Sequence, residues 1–218
     1  NNFRKIKNLF RYRSKSNIST FNKSLITFIV LLFVYLFYLT IPNLYEKTWI
    51  QNKIENKLLS EFKMNFSLSS EISYQILPSP NFIIKNVEIL NDKNNSLNTF
   101  ASIKILKIFI FKKNLFNKKK IKINKILITE ANFLIDKKNF NFFTKFTSKI
   151  FSQKIIKIKK SNLFFKDEAG ETLLINKIKH LVLYFDKESL LNTIELNGEV
   201  LNVPYKLNFT KDLLSKKN

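Results

Sequence analysis

One uninterrupted apolar run, Leu25 to Ile41 (LITFIVLLFVYLFYLTI), limits what this chain can fold into more than any other feature. Its residues carry no charge and rise roughly 26 Å as a helix at about 1.5 Å per residue, the short end of what spans a bilayer's hydrocarbon core. The run is apolar all round, which separates it from a core helix with a single apolar stripe. A cleavable signal peptide is the alternative, but its apolar region usually covers about 7 to 15 residues and ends in small side chains. This run ends in Tyr38-Leu39-Thr40-Ile41-Pro42. Arg4, Lys5, Lys7, Arg11, Arg13, Lys15 and Lys23 precede it with no acid among them. Basic flanks stay cytoplasmic, so everything after Pro42 is expected across the membrane.

The formal charge of +22 invites a nucleic-acid reading. All three arginines, however, sit in the leader, and arginine is the residue that bidentate phosphate recognition favours. The remaining positive charge is lysine scattered through strand-like sequence, in a chain rich in Lys, Asn, Ile and Phe that reads as nucleotide bias. No nucleic-acid partner is expected. The chain has no cysteine, which excludes a disulfide framework and thiolate metal sites and suits a bacterial periplasm. Asn-x-Ser/Thr at Asn65, Asn94 and Asn208 is what an Asn-rich chain gives by chance. The sequence opens at Asn1 without an initiator Met and stops at Asn218 after a strand-like pattern, so a piece of a longer protein is one expectation.

Four segments follow: a basic leader over 1–23, an anchor over 24–42, an amphipathic helix over 43–63, and an antiparallel β domain over 64–218. Within Leu44 to Phe62, Ile50, Ile54, Leu58 and Phe62 recur at i+4 among polar residues. Tyr45 and Trp49 at its start suit a membrane interface, or equally a packing role on the domain. From Asn65 the period becomes two: Phe66, Leu68, Ile72, Tyr74 and Ile76 alternate with polar residues, as one strand or two. Leu77-Pro78-Ser79-Pro80 forces a turn. Strands are predicted at Phe82 to Leu90, Ala101 to Phe111, Ile121 to Asp136, Lys154 to Lys166, Glu171 to Phe185, Leu191 to Leu201 and Val203 to Thr210. Asn91 to Asn98 reads as a turn, Lys112 to Lys120 as a basic loop or short helix, and Asn139 to Phe151 as a helix.

Seven or eight antiparallel strands, each with one apolar face, thus stand against two short helices. An apolar sheet face must be covered. Two helices of four or five turns do not cover eight strands, so the sheet closes into a sandwich or forms an open, curved apolar groove that binds something. The fold class expected is mainly β with few helices: one N-terminal transmembrane helix, then a curved antiparallel sheet forming an open apolar groove. Alternation gives the candidate lining as Phe66, Leu68, Ile72, Tyr74, Ile103, Ile105, Ile156, Ile158, Leu181, Leu183, Val203, Leu207 and Phe209. The phase slips at Ile105-Leu106.

Catalytic residues, cofactors and metal ligands are not expected. His180 is the only histidine and has no cysteine to help it hold a metal. Asp167, Glu168 and Glu171 around Ala169-Gly170 have the chemistry of a hairpin turn. Two glycines leave no phosphate-cradling loop, and Gly-x-Ser-x-Gly does not occur.

The order of elements resembles the N-terminal region of the AsmA-like family of bacterial envelope proteins. The residues that carry the likeness are the anchor Leu25 to Ile41, the helix Leu44 to Phe62, and the segment Ile72 to Ile89 with its aromatic strand, proline turn and Asn86-Val87-Glu88-Ile89 strand. Ala101 to Ile110, Ile126 to Ile135, Ser161 to Asp167 and Leu191 to Leu207 are similar to the strands that follow in that family. The resemblance implies an inner-membrane anchor with a cytoplasmic N-terminus and a periplasmic domain. Its groove would carry phospholipid acyl chains towards the outer membrane or support outer-membrane assembly, with membrane lipids and envelope proteins as partners. Members of the family are usually much longer, so a short member that needs partners is a further expectation. A non-catalytic scaffold without lipid cargo, its sheet closed by a second sheet or a partner, is the competing expectation.

Overall fold

A computed structural model of the chain describes residues 19–62, 64–90, 99–113 and 115–212, with the side chains of 138, 139, 142 and 143 left aside. The leader from Arg4 to Lys15, the Asn91 to Asn98 turn and the side chains of Phe142 and Phe143 lie outside this description. The chain divides into two compact units, Asn1–Tyr38 and Leu39–Asn218.

The described part of the first unit is most of helix α1 (Thr20–Thr40). With the turn that follows, Thr20–Leu44 is long and apolar enough to cross a membrane. The helix starts five residues before the apolar run, taking in Lys23, whose carbonyl accepts the Thr27 hydroxyl.

In the second unit, a 3-10 turn at Ile41–Leu44 sets Pro42 at its start and leads into helix α2 (Lys47–Phe62). The amphipathic helix is therefore shorter than Leu44 to Phe62 by its first three residues. Ile50, Ile54, Leu58 and Phe62 form its buried stripe, and the helix packs on β1. Gln51 donates to the Leu68 carbonyl (2.8 Å) and the Leu68 amide donates to Glu55 (3.1 Å), which pins the chain between β1 and β2 to the helix.

Among the described residues nine strands make one sheet: β1 (Asn65–Ser67), β2 (Ile72–Gln75), β3 (Asn81–Leu90), β4 (Thr99–Ile110), β5 (Ile123–Ile135), β6 (Ile155–Lys166), β7 (Thr172–Asp186), β8 (Leu191–Val200) and β9 (Val203–Asp212). Their order is β1-β3-β4-β5-β6-β7-β8-β9, with β2 also on β3. The alternating stretch from Asn65 is thus two short strands that share the β3 edge.

One pairing corrects the all-antiparallel expectation: β5 and β6 run parallel. A parallel neighbour needs a crossover of a dozen or more residues. Helix α3 (Lys137–Ser148) supplies it, in place of a helix over Asn139 to Phe151. Ile150 and Phe151 fall beyond its end, in a segment fastened by Asn192, which accepts from the Phe151 amide (2.9 Å) and donates to the Lys149 carbonyl (2.7 Å). In the described part of the Lys112 to Lys120 segment one 3-10 turn, Lys118–Lys120, is capped by Asn117 accepting from the Lys119 amide.

Five strands share one irregularity. The ladders skip Asn86 and Lys104, then Lys104 and Glu130, then Lys160 and Lys179, and a register shift at the same level separates Ile178 from His180. Asn86, Glu130 and Lys160 have φ of 52°, 55° and 49°, the left-handed conformation in which a bulge turns a strand. This crease crosses the sheet from β3 to β7. At its centre Ser161 replaces a lost ladder bond: its hydroxyl accepts from the Ala131 amide (3.0 Å) and donates to the Lys159 carbonyl (2.9 Å).

A candidate lipid groove

Register aligns side chains into rows across the apolar face. Below the crease one row runs Ile72, Ile84, Leu106, Ile128, Ile158, Leu181, Leu196, Leu207. Beside it runs Tyr74, Phe82, Ile108, Ile126, Ile156, Leu183, Ile194, Phe209. Above the crease, Phe66, Ile89, Ala101, Phe133, Leu163, Asn176, Val200 and Val203 form another. Rows of the opposite face carry most of the lysines among scattered apolar residues, as in Lys85, Ile105, Thr129, Lys159, His180, Asn197, Lys206. Glu199 there accepts from Lys177 and Lys179 (both 2.9 Å), and these hydrogen bonds hold its carboxyl below the ordinary range.

From β3 to β9 burial falls along the first two of these rows. Leu106 is fully buried, Ile158 is 4% exposed, Leu181 and Leu196 are half-buried, and Leu207 is 49% exposed. The same face is therefore a closed core at the β3 end and an open surface at the β9 end. A cavity of about 250 Å³ lies where the two meet, lined from Phe66, Ile89 and Phe100 at one side to Ile194, Leu196 and Leu207 at the other. A flat sheet would separate β1 from β9 by about 34 Å at its usual strand spacing. One cavity touched from both sides requires a strongly curved sheet. Phe146 and Thr147 of α3 complete the wall, so the crossover helix lies on the groove face. Apart from Thr147 and Asn176, every lining residue is apolar.

Of the residues chosen from alternation, Phe66, Ile156, Ile158, Leu181, Leu183 and Leu207 line this cavity. Ile72, Tyr74, Ile103, Val203 and Phe209 stand on the same face without lining it. Two are misplaced by alternation. Ile105 pairs with Lys85 and Thr129 on the polar face, because the bulge at Lys104 reverses the phase. Leu68 is buried between β1 and β2, beside α2. Alternation missed Ile89, Ile126, Ile128, Phe133, Leu163, Asn176, Ile194 and Leu196, which occupy the same rows, and also Met64, Phe100, Phe146, Thr147 and Ile178.

Tyr45 and Trp49 belong to a second cluster. Their rings meet edge to face at 6.0 Å, the Tyr45 hydroxyl donates to the Leu115 carbonyl, and the Lys118 ammonium lies 5.3 Å from the Trp49 ring centre. These contacts join the start of α2 to the β4–β5 loop, which carries exposed Phe116 and Lys112, Lys113, Lys119 and Lys120. The Ile110 amide donates to the Pro80 carbonyl, bringing the Leu77-Pro78 turn alongside with its exposed Leu77. Leu44 is exposed next to it in sequence to Tyr45. The result is a rim of apolar tips and lysines around the point where the chain enters the domain at Leu39.

Asp167, Glu168 and Glu171 stand in the β6–β7 hairpin turn: the Gly170 amide donates to the Asp167 carbonyl and the Glu171 amide to the Asp167 carboxylate. His180 stands on the polar face between Lys159 and Asn197. Among the described residues no group of three His, Cys, Asp or Glu is placed to hold a metal. No protein-family model matches the chain, and no curated protein matches it.

Proposed function

We propose that this chain is a membrane-anchored lipid-binding protein of the AsmA-like type, non-catalytic, held in a bacterial inner membrane by α1 with its β domain in the periplasm. Its role would be to take acyl chains from the bilayer and pass them towards the outer membrane, or to support outer-membrane assembly. The observation that carries this reading is the change along one apolar face from closed core to open groove around an almost wholly apolar cavity. Each buried CH₂ is worth about 0.8 kcal/mol, so an acyl chain on the Leu181, Leu196 and Leu207 row gains from contact alone, while a head group stays in water. The rim of Leu44, Leu77, Phe116 and lysines suits contact with an anionic bilayer, with Tyr45 and Trp49 at head-group depth.

A scaffold reading draws on the exposure of Val203, Leu207 and Phe209, which a partner protein would cover as well as a lipid. Mass spectrometry of lipid retained by the purified full chain separates the two, with Leu196→Asp/Leu207→Asp as the comparison. The lipid-binding reading expects retained phospholipid that the double variant loses. Equal lipid in both proteins would overturn it in favour of the scaffold.

A further inference from the structure

One polar side chain of the cavity wall, Asn176, pairs with Tyr205 at the edge of that wall, and the apolar surroundings do not require the pair. Asn176, on β7, is nine-tenths buried and lines the cavity; its amide nitrogen donates to the Tyr205 hydroxyl, and its Oδ1 has no hydrogen-bond partner. Tyr205 reaches it from β9 across β8, passing over Gly198. A side chain there would put its Cβ 2.7 Å from the Tyr205 oxygen, so the crossing depends on glycine at that position. A buried acceptor with no partner is costly, and a leucine would fill Asn176's place in the row without that cost. A tyrosine hydroxyl that accepts one hydrogen bond still has its own proton to give.

We propose that this pair anchors a lipid bearing a hydroxyl beside its acyl carbonyl, the hydroxyl donating to Asn176 Oδ1 and the carbonyl accepting from Tyr205. The inference rests on the lipid-binding reading above and names the ligand within it. A glycerol ester with one acyl chain has both groups side by side; a diacyl phospholipid has ester carbonyls there and no hydroxyl. Both a monoacylglycerol and a lysophospholipid present this chemistry.

Equilibrium binding to the full chain in amphipol tests it with three probes sharing one chain: monooleoylglycerol, oleoyl lysophosphatidylethanolamine and methyl oleate, which keeps the carbonyl and lacks the hydroxyl. The expected result is that one or both hydroxyl esters bind at least about tenfold tighter than methyl oleate, the tighter naming the source. Asn176→Leu should bring that ratio down towards one while methyl oleate binding persists, whereas Tyr205→Phe, which takes the donor from the carbonyl that all three probes share, should weaken all three alike and leave the ratio in place. Equal binding of all three by the wild-type chain, or a ratio kept in Asn176→Leu, overturns the anchor and leaves the groove intact. No binding of any probe would fail the lipid-binding reading itself, and the anchor with it.

Discussion

Tyr74 shows how single side chains tie the β domain to its point of entry. Its hydroxyl donates to the Leu39 carbonyl (2.7 Å), and burial, with Tyr45 adding to it, pushes its pKa up to about 12. A phenol whose folded pKa exceeds its unfolded value of 10.0 stabilises the fold fully below that value and loses this contribution as pH rises towards 12. Thermal unfolding between pH 9 and 12 should therefore fall less steeply in Tyr74→Phe than in the wild type. Parallel curves would remove Tyr74 from this role. Ser161 is a second such residue, since Ser161→Ala leaves the buried Ala131 amide without an acceptor. We expect a loss of about 1 to 3 kcal/mol in denaturant titration. Neither role was legible in sequence: Tyr74 reads as one more alternating apolar residue and Ser161 as a polar interruption, because their partners are backbone groups brought close only by folding.

At the scale of the element, the crease leaves a periodic trace. Ile84 and Val87, Ile103 and Leu106, Ile128 and Ala131, Ile158 and Ser161, and Ile178 and Leu181 are each three apart in a pattern otherwise of period two. Each spacing marks a bulge that lets both residues face the groove. Taken strand by strand, the slip at Ile105-Leu106 looks like noise; repeated in five strands, it is the signal that would have placed Ile105 on the polar face. Lys160 holds a left-handed backbone there that costs a side-chain-bearing residue of order 1 kcal/mol. Lys160→Gly should therefore raise stability by up to about 1 kcal/mol in chemical denaturation, whereas a clear loss would contradict that geometry. The parallel β5–β6 pair escaped the sequence reading because alternation carries no direction. Its trace was the long helical connection between the two strands, which a hairpin does not need.

For the whole molecule, the mainly β character, the single apolar run and the sharing of one face were legible, since all three follow from where apolar residues fall, while the seven or eight strands expected fall short of the nine described because the stretch from Asn65 divides into two short strands. The gradient of burial was not, because it depends on which strands lie under α2 and α3 and which curve past them. Among the described residues the strands form one sheet, and its apolar face is buried at the β3 end and exposed at the β9 end. Leu106→Asp, at the closed end, should abolish folding by burying an unpaired carboxylate. Leu207→Asp, at the open end, should leave the melting transition almost unchanged. A similar collapse in both variants would mean that the β9 end is core.

The groove itself is tested most directly by placing a photoreactive amino acid, one site at a time, at Leu196, Leu207 and Lys206 of the full chain and irradiating intact cells. Leu196 and Leu207 share the apolar row, and Lys206 neighbours Leu207 on the opposite face. A lipid-carrying groove predicts lipid adducts at Leu196 and Leu207 and none at Lys206. Adducts at neither apolar position, or equally on both faces, would contradict it.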